Sequence, residues 1–228
     1  MRSLKSLQTV QVRRRIFILD DHPITRYGLT QLINHETDLQ VCGDAETATP
    51  ALAAIKAARP DLVLADISLP GKNGLEFVKD MQAQHRGVPV LVMSMHDETI
   101  YAERVLRAGG RGYIMKNEGG EKLLQAIRQV LQGQVYVSQT ISAALLDGLT
   151  RPHSGTREAT PSVLTDREFE VFQLLGQGLS GRQIGQRLNL SVKTVDTHRQ
   201  HIKQKLKLRT GPELIRQAVR WAASQHLV

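Results

Sequence analysis

Five polar residues define the chemistry open to this sequence. Asp20 and Asp21 close one short apolar run, Asp66 closes another, and Ser94 and Lys116 stand at the ends of two more. Three carboxylates within a few ångströms repel one another, and a divalent cation relieves that repulsion. An all-oxygen acidic site suits Mg2+. Lys116 adds a fixed positive charge. A metal and a lysine around a free carboxylate make a site for a phosphoryl group. The cations neutralise charge on its oxygens while the carboxylate attacks. A hydroxyl at Ser94 can hydrogen-bond one phosphoryl oxygen.

These residues meet only if the apolar runs are neighbouring strands. The runs are Ile16–Asp20, Leu39–Gly43, Leu62–Ala65, Val90–Met93 and Gly112–Met115. Each is apolar on consecutive residues, as strands buried on both faces are. Segments with helical spacing lie between and after them: Thr25–Asn34, Ala48–Ala58, Gly74–Gln84, Glu98–Ala108 and Glu121–Leu131. Five strand–helix repeats predict an α/β fold, a doubly wound parallel sheet of five strands. In such a sheet the functional crevice lies beyond the carboxyl ends of the strands, between the first and third. A single aspartate at a strand end is ordinarily a helix cap or turn residue. The joint placement of the acid pair, Asp66, Ser94 and Lys116 on four strand ends is what points to a site. Pro70 and Gly71 predict a tight turn that leaves Asp66 exposed beyond the sheet.

The rest of the chain is of another kind. Residues 151–163, RPHSGTREATPSV, have a linker composition. No strand pattern follows, only four helices with start signals. Thr165 with Glu168, Ser180 with Gln183 and Thr210 with Glu213 are capping-box pairs, and Ser191 is a plain N-cap. The formal net charge of the 228 residues is +8, and from Ser180 onward ten basic residues face two acidic ones. That asymmetry points to a polyanionic partner for this end only, with a solvated basic surface as the plainer alternative. Two short helices joined by a tight turn, Gly181–Leu188 and Val192–Leu206, describe a helix-turn-helix. Lys193, Thr194, Thr197, Gln200 and Lys203 fall on the outer face of the second. Lysines there neutralise phosphates, and Thr and Gln reach base edges. Asp196, on or near that face, opposes phosphate binding. His198 shares the inward stripe with Val195 and Ile202. Gly181 and Gly185 each lower helix stability by ~1 kcal/mol relative to Ala. The last helix, Pro212–Ala223, is apolar on more than one face.

The segments ILDDHP (19–23), DLVLADISLPGKNGLE (61–76), VLVMSMHDE (90–98) and GYIMK (112–116) together resemble the receiver domain of two-component response regulators. Residues 164–206 resemble the LuxR-type helix-turn-helix, and the pair resembles the NarL/FixJ class. The resemblance implies that Asp66 is the phosphoacceptor. It implies that Asp20, Asp21, Asp66 and the backbone carbonyl of Ser68 bind Mg2+, with Asp21 a more direct ligand than Asp20. Ser94 stands where the family has Thr or Ser, and Lys116 where a lysine pairs with the phosphoryl group. Tyr113 holds the place of a switch aromatic that turns inward when the Ser94 hydroxyl is drawn to the phosphoryl. Ser68 and His96 flank the site and tune the phosphoryl lifetime. The last helix dimerises. Gly181 and Gly185 depart from the usual Asn and Ala of the family.

The expected layout is a tail over residues 1–13, a receiver over 14–135, a linker region over 136–160 and a DNA-binding domain over 161–228. The partners implied are double-stranded DNA, a sensor histidine kinase, RNA polymerase and, on phosphorylation, a second copy of the chain. No catalytic residue is assigned, and the chain is not expected to be an enzyme. A phosphatase with an aspartyl-phosphate intermediate carries a second acid two residues after its nucleophile, whereas His22 follows Asp20 at that distance. A constitutive DNA binder with a vestigial receiver is the other alternative, and the complete pocket set argues against it. The single cysteine, Cys42, suits a reducing, cytoplasmic setting. No apolar stretch has the length of a membrane span or a signal peptide.

Overall fold

The computed structural model describes residues 12–70, 72–150 and 163–225. The chain divides into two compact units, Met1–Leu145 and Leu146–Val228.

In the first unit, strands β1 (Arg14–Leu19), β2 (Leu39–Ala45), β3 (Leu62–Asp66), β4 (Val90–Ser94) and β5 (Gly112–Met115) form one sheet. Its order is β2-β1-β3-β4-β5, and the pairings are parallel. Helices α1 (Pro23–His35), α2 (Ala48–Ala58), α3 (Gly74–Gln84), α4 (Glu98–Arg107) and α5 (Gly120–Leu131) follow the strands in turn. Every residue of β3 and β4 is buried, as strands covered on both faces require. Ile16, Ile18, Leu62, Leu64, Leu91, Met93 and Ile114 form one core with Leu29 and Ile33 of α1 and Leu123 to Val130 of α5. The alternate residues, among them Phe17, Val63 and Val92, are buried on the opposite face.

The sheet register assembles the pocket. Leu19 pairs with Ala65, so Asp20 and Asp66 follow side by side. Ser94 pairs with Met115, so Lys116 leaves β5 beside it. The order reverses between β1 and β3, the crevice expected from five alternating repeats.

The segment expected as linker from residue 136 is largely structured where it is described. Tyr136 bridges Gly112 in parallel, and Gln139–Thr150 form a further helix, α6. The Pro/Ser/Thr/Gly composition begins only at Arg151, and Ile141 is already buried. The compact unit therefore extends past residue 135. The tail over residues 1–11, most of the 151–163 linker and Gly71 of the expected turn lie outside the described residues.

The second unit is helical: α7 (Asp166–Gly176), α8 (Gly181–Leu188), α9 (Val192–Lys205) and α10 (Gly211–Gln225). All the expected start signals operate. Thr165 and Ser180 make complete capping boxes, Ser191 accepts from the Thr194 N–H, and Thr210 exchanges bonds with Glu213. Phe169, Phe172, Ile184, Val195, Ile202, Leu206, Leu214 and Ala218 fill the core. Between α8 and α9 the chain turns at Asn189, whose φ of 54° is left-handed, a conformation Asn tolerates better than most side chains.

Candidate functional site

The carboxyl ends of β1, β3, β4 and β5 bring the five pocket residues together. Lys116 Nζ donates to Asp20 Oδ2 at 2.7 Å and to Asp66 Oδ2 at 2.9 Å. Burial works against the charge on Lys116, but the hydrogen bonds to Asp20 and Asp66 outweigh it and hold its pKa above the ordinary lysine value. The ammonium therefore stays charged between two acids. Asp66 is only 2% exposed, which corrects the expectation of an acceptor standing clear of the sheet. Lys116 folds over the carboxylate instead. Gly74 backs directly onto this position: a Cβ there would lie 2.5 Å from the Asp66 carbonyl oxygen.

The donor set fits a hard divalent cation. Asp20, Asp21, His22 and Asp66 each offer a ligand atom within 4.8 Å of the others. Asp21 Oδ1 is buried and accepts no hydrogen bond of normal geometry, although His22 Nδ1 lies 2.7 Å away. Such a carboxylate oxygen has capacity left for a metal. Asp66 Oδ1 accepts from the Ser68 N–H at 3.1 Å, which turns the loop back over the acceptor.

A chain of contacts leaves the pocket along β4 and β5. Ser94 is fully buried, and its Oγ accepts from the His96 N–H at 3.0 Å. The Tyr113 hydroxyl donates to the His96 carbonyl at 2.7 Å. Burial is the main cause that pushes the Tyr113 pKa up, so the phenol remains protonated. Tyr113 is turned inward and buried. The His96 carbonyl supplies the partner that stabilises this rotamer. The Ser68 hydroxyl meets His96 Nε2 at 2.9 Å, so the two expected flanking residues touch.

Two pocket residues escaped sequence reasoning. His22, at the position where a phosphatase would carry its second acid, joins the carboxylate cluster. Arg26 donates to the Asp20 carbonyl and pairs with Asp44 and Glu46, clamping the β1–α1 corner. The signal was faint, a lone arginine one helical turn past Pro23.

In the second unit, Lys193, Thr197 and Gln200 are exposed, and Thr194 and Lys203 are half-buried. Both threonine hydroxyls are engaged locally, Thr194 with Ser191 Oγ and Thr197 with the Lys193 carbonyl. Asp196 is paired with Arg199 one turn on, which softens the repulsion expected of it. His198 is half-buried. Burial, the leading cause, lowers its pKa and favours the neutral ring. At the far end of α9, Lys205 Nζ bonds Glu168 Oε2 at 2.6 Å. Burial works to raise the Glu168 pKa, but Lys205 and the Thr165 bonds outweigh it and hold the carboxyl below its usual range. Gly185 is required rather than merely tolerated: a Cβ there would lie 2.7 Å from the Leu190 carbonyl oxygen. On α10, Leu214 and Ala218 close the core while Ile215 and Val219 remain partly exposed.

Comparison with known proteins agrees in both units. Residues 16–128 match the response regulator receiver domain, and residues 162–218 match the luxR family of bacterial regulatory proteins. The oxygen regulatory protein NreC of Staphylococcus epidermidis is 33% identical over 212 residues, 90% of this chain and 97% of that protein. NreC of Staphylococcus aureus is 33% identical over 210 residues, with the same coverage. Among solved structures, the response regulator ChrA of a heme-sensing two-component system aligns with a TM-score of 0.50 at 29% identity, over 95% of this chain and 99% of that one. RcsB from Salmonella enterica serovar Typhimurium, bound to promoter rprA in the presence of phosphomimetic BeF3-, aligns with a TM-score of 0.63 at 22% identity, over 90% and 97%. The latter likeness is one of fold.

Proposed function

The chain belongs to the two-component response regulators that join a receiver domain to a LuxR-type DNA-binding domain, and on that premise we propose that phosphorylation of Asp66 switches DNA binding by the second unit. One observation carries the assignment of Asp66. It shares Lys116 with Asp20 at the strand-order reversal, beside a buried Asp21 oxygen that His22 Nδ1 approaches without normal hydrogen-bond geometry.

The donor is a phosphohistidine on a sensor kinase. An Asp66 oxygen attacks the phosphorus, the P–N bond breaks, and the imidazole leaves with the electron pair and takes up a proton. Asp20, Asp21, Asp66 and the Ser68 carbonyl would hold Mg2+, which supplies charge neutralisation for the phosphoryl oxygens. Lys116 pairs with the phosphoryl group, and Ser94 donates its hydroxyl to it. The product is an acyl phosphate, adding ~1.5–2 negative charges to the pocket. The protein acts as a switch rather than an enzyme.

On DNA, Lys193 and Lys203 contact phosphates while Thr194, Thr197 and Gln200 approach base edges. The partly exposed Ile215 and Val219 of α10 suit a two-fold dimer on a two-part operator, with RNA polymerase as the downstream partner. A half-buried, unpaired Cys42 suits the reducing cytoplasm, and no helix among the described residues is long and apolar enough to cross a membrane.

The test is an acid-labile phosphoryl label from a phosphodonor in Mg2+. The wild type takes the label and Asp66→Asn does not. Undiminished labelling of that variant would sink the assignment.

A further inference from the structure

We propose that the hydrogen bond between Ser138 and Glu98 is a latch holding the start of α6 to the start of α4, and that phosphorylation of Asp66 opens it. The opening step rests on the functional reading above; the latch itself does not.

Ser138 Oγ donates to Glu98 Oε1 at 2.6 Å and accepts from the Ile141 N–H at 3.2 Å. One hydroxyl thus caps α6 and ties it to the first residue of α4. The Glu98 carboxylate lies at the N-terminal end of both helices, where a negative charge is favourable. A helix of 12 residues is marginal by itself in water, so α6 depends on such ties and on the burial of Ile141.

The two sides of the latch are anchored differently. Ser138 follows a segment held on the sheet: the Tyr136 N–H donates to the Arg111 carbonyl at 3.0 Å, and the Tyr136 carbonyl accepts from the Tyr113 N–H at 2.9 Å. Gly112 makes this approach feasible, since a Cβ there would meet the Tyr136 carbonyl oxygen at 2.7 Å. Glu98 follows the pocket loop instead. His96, two residues before it, is held by Ser94 Oγ at its N–H and by the Tyr113 hydroxyl at its carbonyl. Recruiting the Ser94 hydroxyl to a phosphoryl group on Asp66 reorients the acceptor that holds the His96 N–H. The 94–98 turn then shifts, Glu98 moves with it, and Ser138 stays with β5. A bond between a moving and a fixed residue breaks.

Hydrogen–deuterium exchange on the full chain tests this, read at the amides of residues 142–145 with and without acetyl phosphate and Mg2+. Without donor, Glu98→Ala, which leaves the Ser138 cap intact, is expected to speed exchange there about five-fold, as loss of a partly solvated charged hydrogen bond would. Ser138→Ala does the same or more. The donor speeds the wild type by a similar factor, adds little to Glu98→Ala, and leaves Asp66→Asn slow. Wild-type exchange rates in Glu98→Ala, or acceleration by Ser138→Ala alone, would reduce Ser138 to an ordinary cap and overturn the latch. A wild type that takes the acid-labile label yet keeps slow exchange overturns the opening step. A wild type that takes no label overturns the Asp66 assignment and the opening step together, while the donor-free comparison still decides the latch.

Discussion

Lys116 reaches across from the end of β5 to bond Asp66 at the end of β3, 2.9 Å away, while also holding Asp20. The two carboxylates are almost wholly buried, and the lysine is the cation that makes their charge tolerable. Removing one partner of such a cluster strands the others in a poorly solvated place. In Mg2+-free buffer Lys116→Met is expected to lower stability by about 3 kcal/mol. Added Mg2+ then stabilises the variant more than the wild type, because the ammonium no longer competes for the same oxygens. Urea unfolding of the two proteins, with and without Mg2+, measures both effects. Equal stabilisation by Mg2+ would contradict competition at one site.

Glu168 gives a pH dependence with a definite sign. Its folded pKa is held below the unfolded value by Lys205 and the Thr165 cap, against the contrary effect of burial. The stability it contributes is therefore present above the unfolded pKa and is lost as pH falls through the folded one. Trp221 is the only tryptophan and packs against Phe169 and Phe172, so its fluorescence follows this unit. Denaturant midpoints read by Trp221 should drop from pH 6 toward acid in the wild type. They should drop less in Glu168→Gln, which starts about 1–2 kcal/mol lower.

The two unusual glycines of α8 are expected to behave oppositely. Gly181, at the first position of the helix, has no atom nearer to an added Cβ than Arg199 at 3.8 Å. Gly181→Ala should stabilise the unit by up to ~1 kcal/mol. Gly185 meets the Leu190 carbonyl oxygen, which also accepts no displacement easily because the turn is pinned by the Leu190 N–H to Gly185 carbonyl bond. Gly185→Ala should destabilise by about 1–3 kcal/mol. Trp221-detected unfolding of both variants checks the contrast.

These cases mark what the sequence alone made legible. Consecutive apolar runs with polar residues at their ends gave the strands and the pocket, because in a parallel sheet burial and strand end are both written in local composition. The capping residues gave the helix starts of the second unit for the same reason. Contacts between distant segments were not legible. That Gly185 faces Leu190, that Tyr113 already has a partner in the His96 carbonyl, and that α6 lies within the supposed linker each depend on packing between separate elements. Asp66 was expected to be exposed because the Pro70 turn was visible in the sequence and the arm of Lys116 was not.

On α9 the charges and the polar readers should separate experimentally. Lys193 is exposed and Lys203 half-buried, and no hydrogen bond or ion pair holds either ammonium among the described residues. An ammonium facing a phosphate releases a counterion on binding, whatever the base beside it. Lys193→Ala and Lys203→Ala should therefore weaken binding to all duplexes alike and each reduce the slope of log K against log salt by about 0.9. Gln200→Ala should leave the slope unchanged and cost about 1–3 kcal/mol only on the preferred operator. Asp196→Ala should act in the reverse sense to the lysines. It removes an acid from the exposed face and frees Arg199, now 3.2 Å from its carboxylate, to reach a phosphate. Its affinity for non-specific duplex should rise and its salt slope steepen. Fluorescence anisotropy across a salt series measures every variant on the same two duplexes. An unchanged slope in both lysine variants would remove α9 as the phosphate-contacting helix.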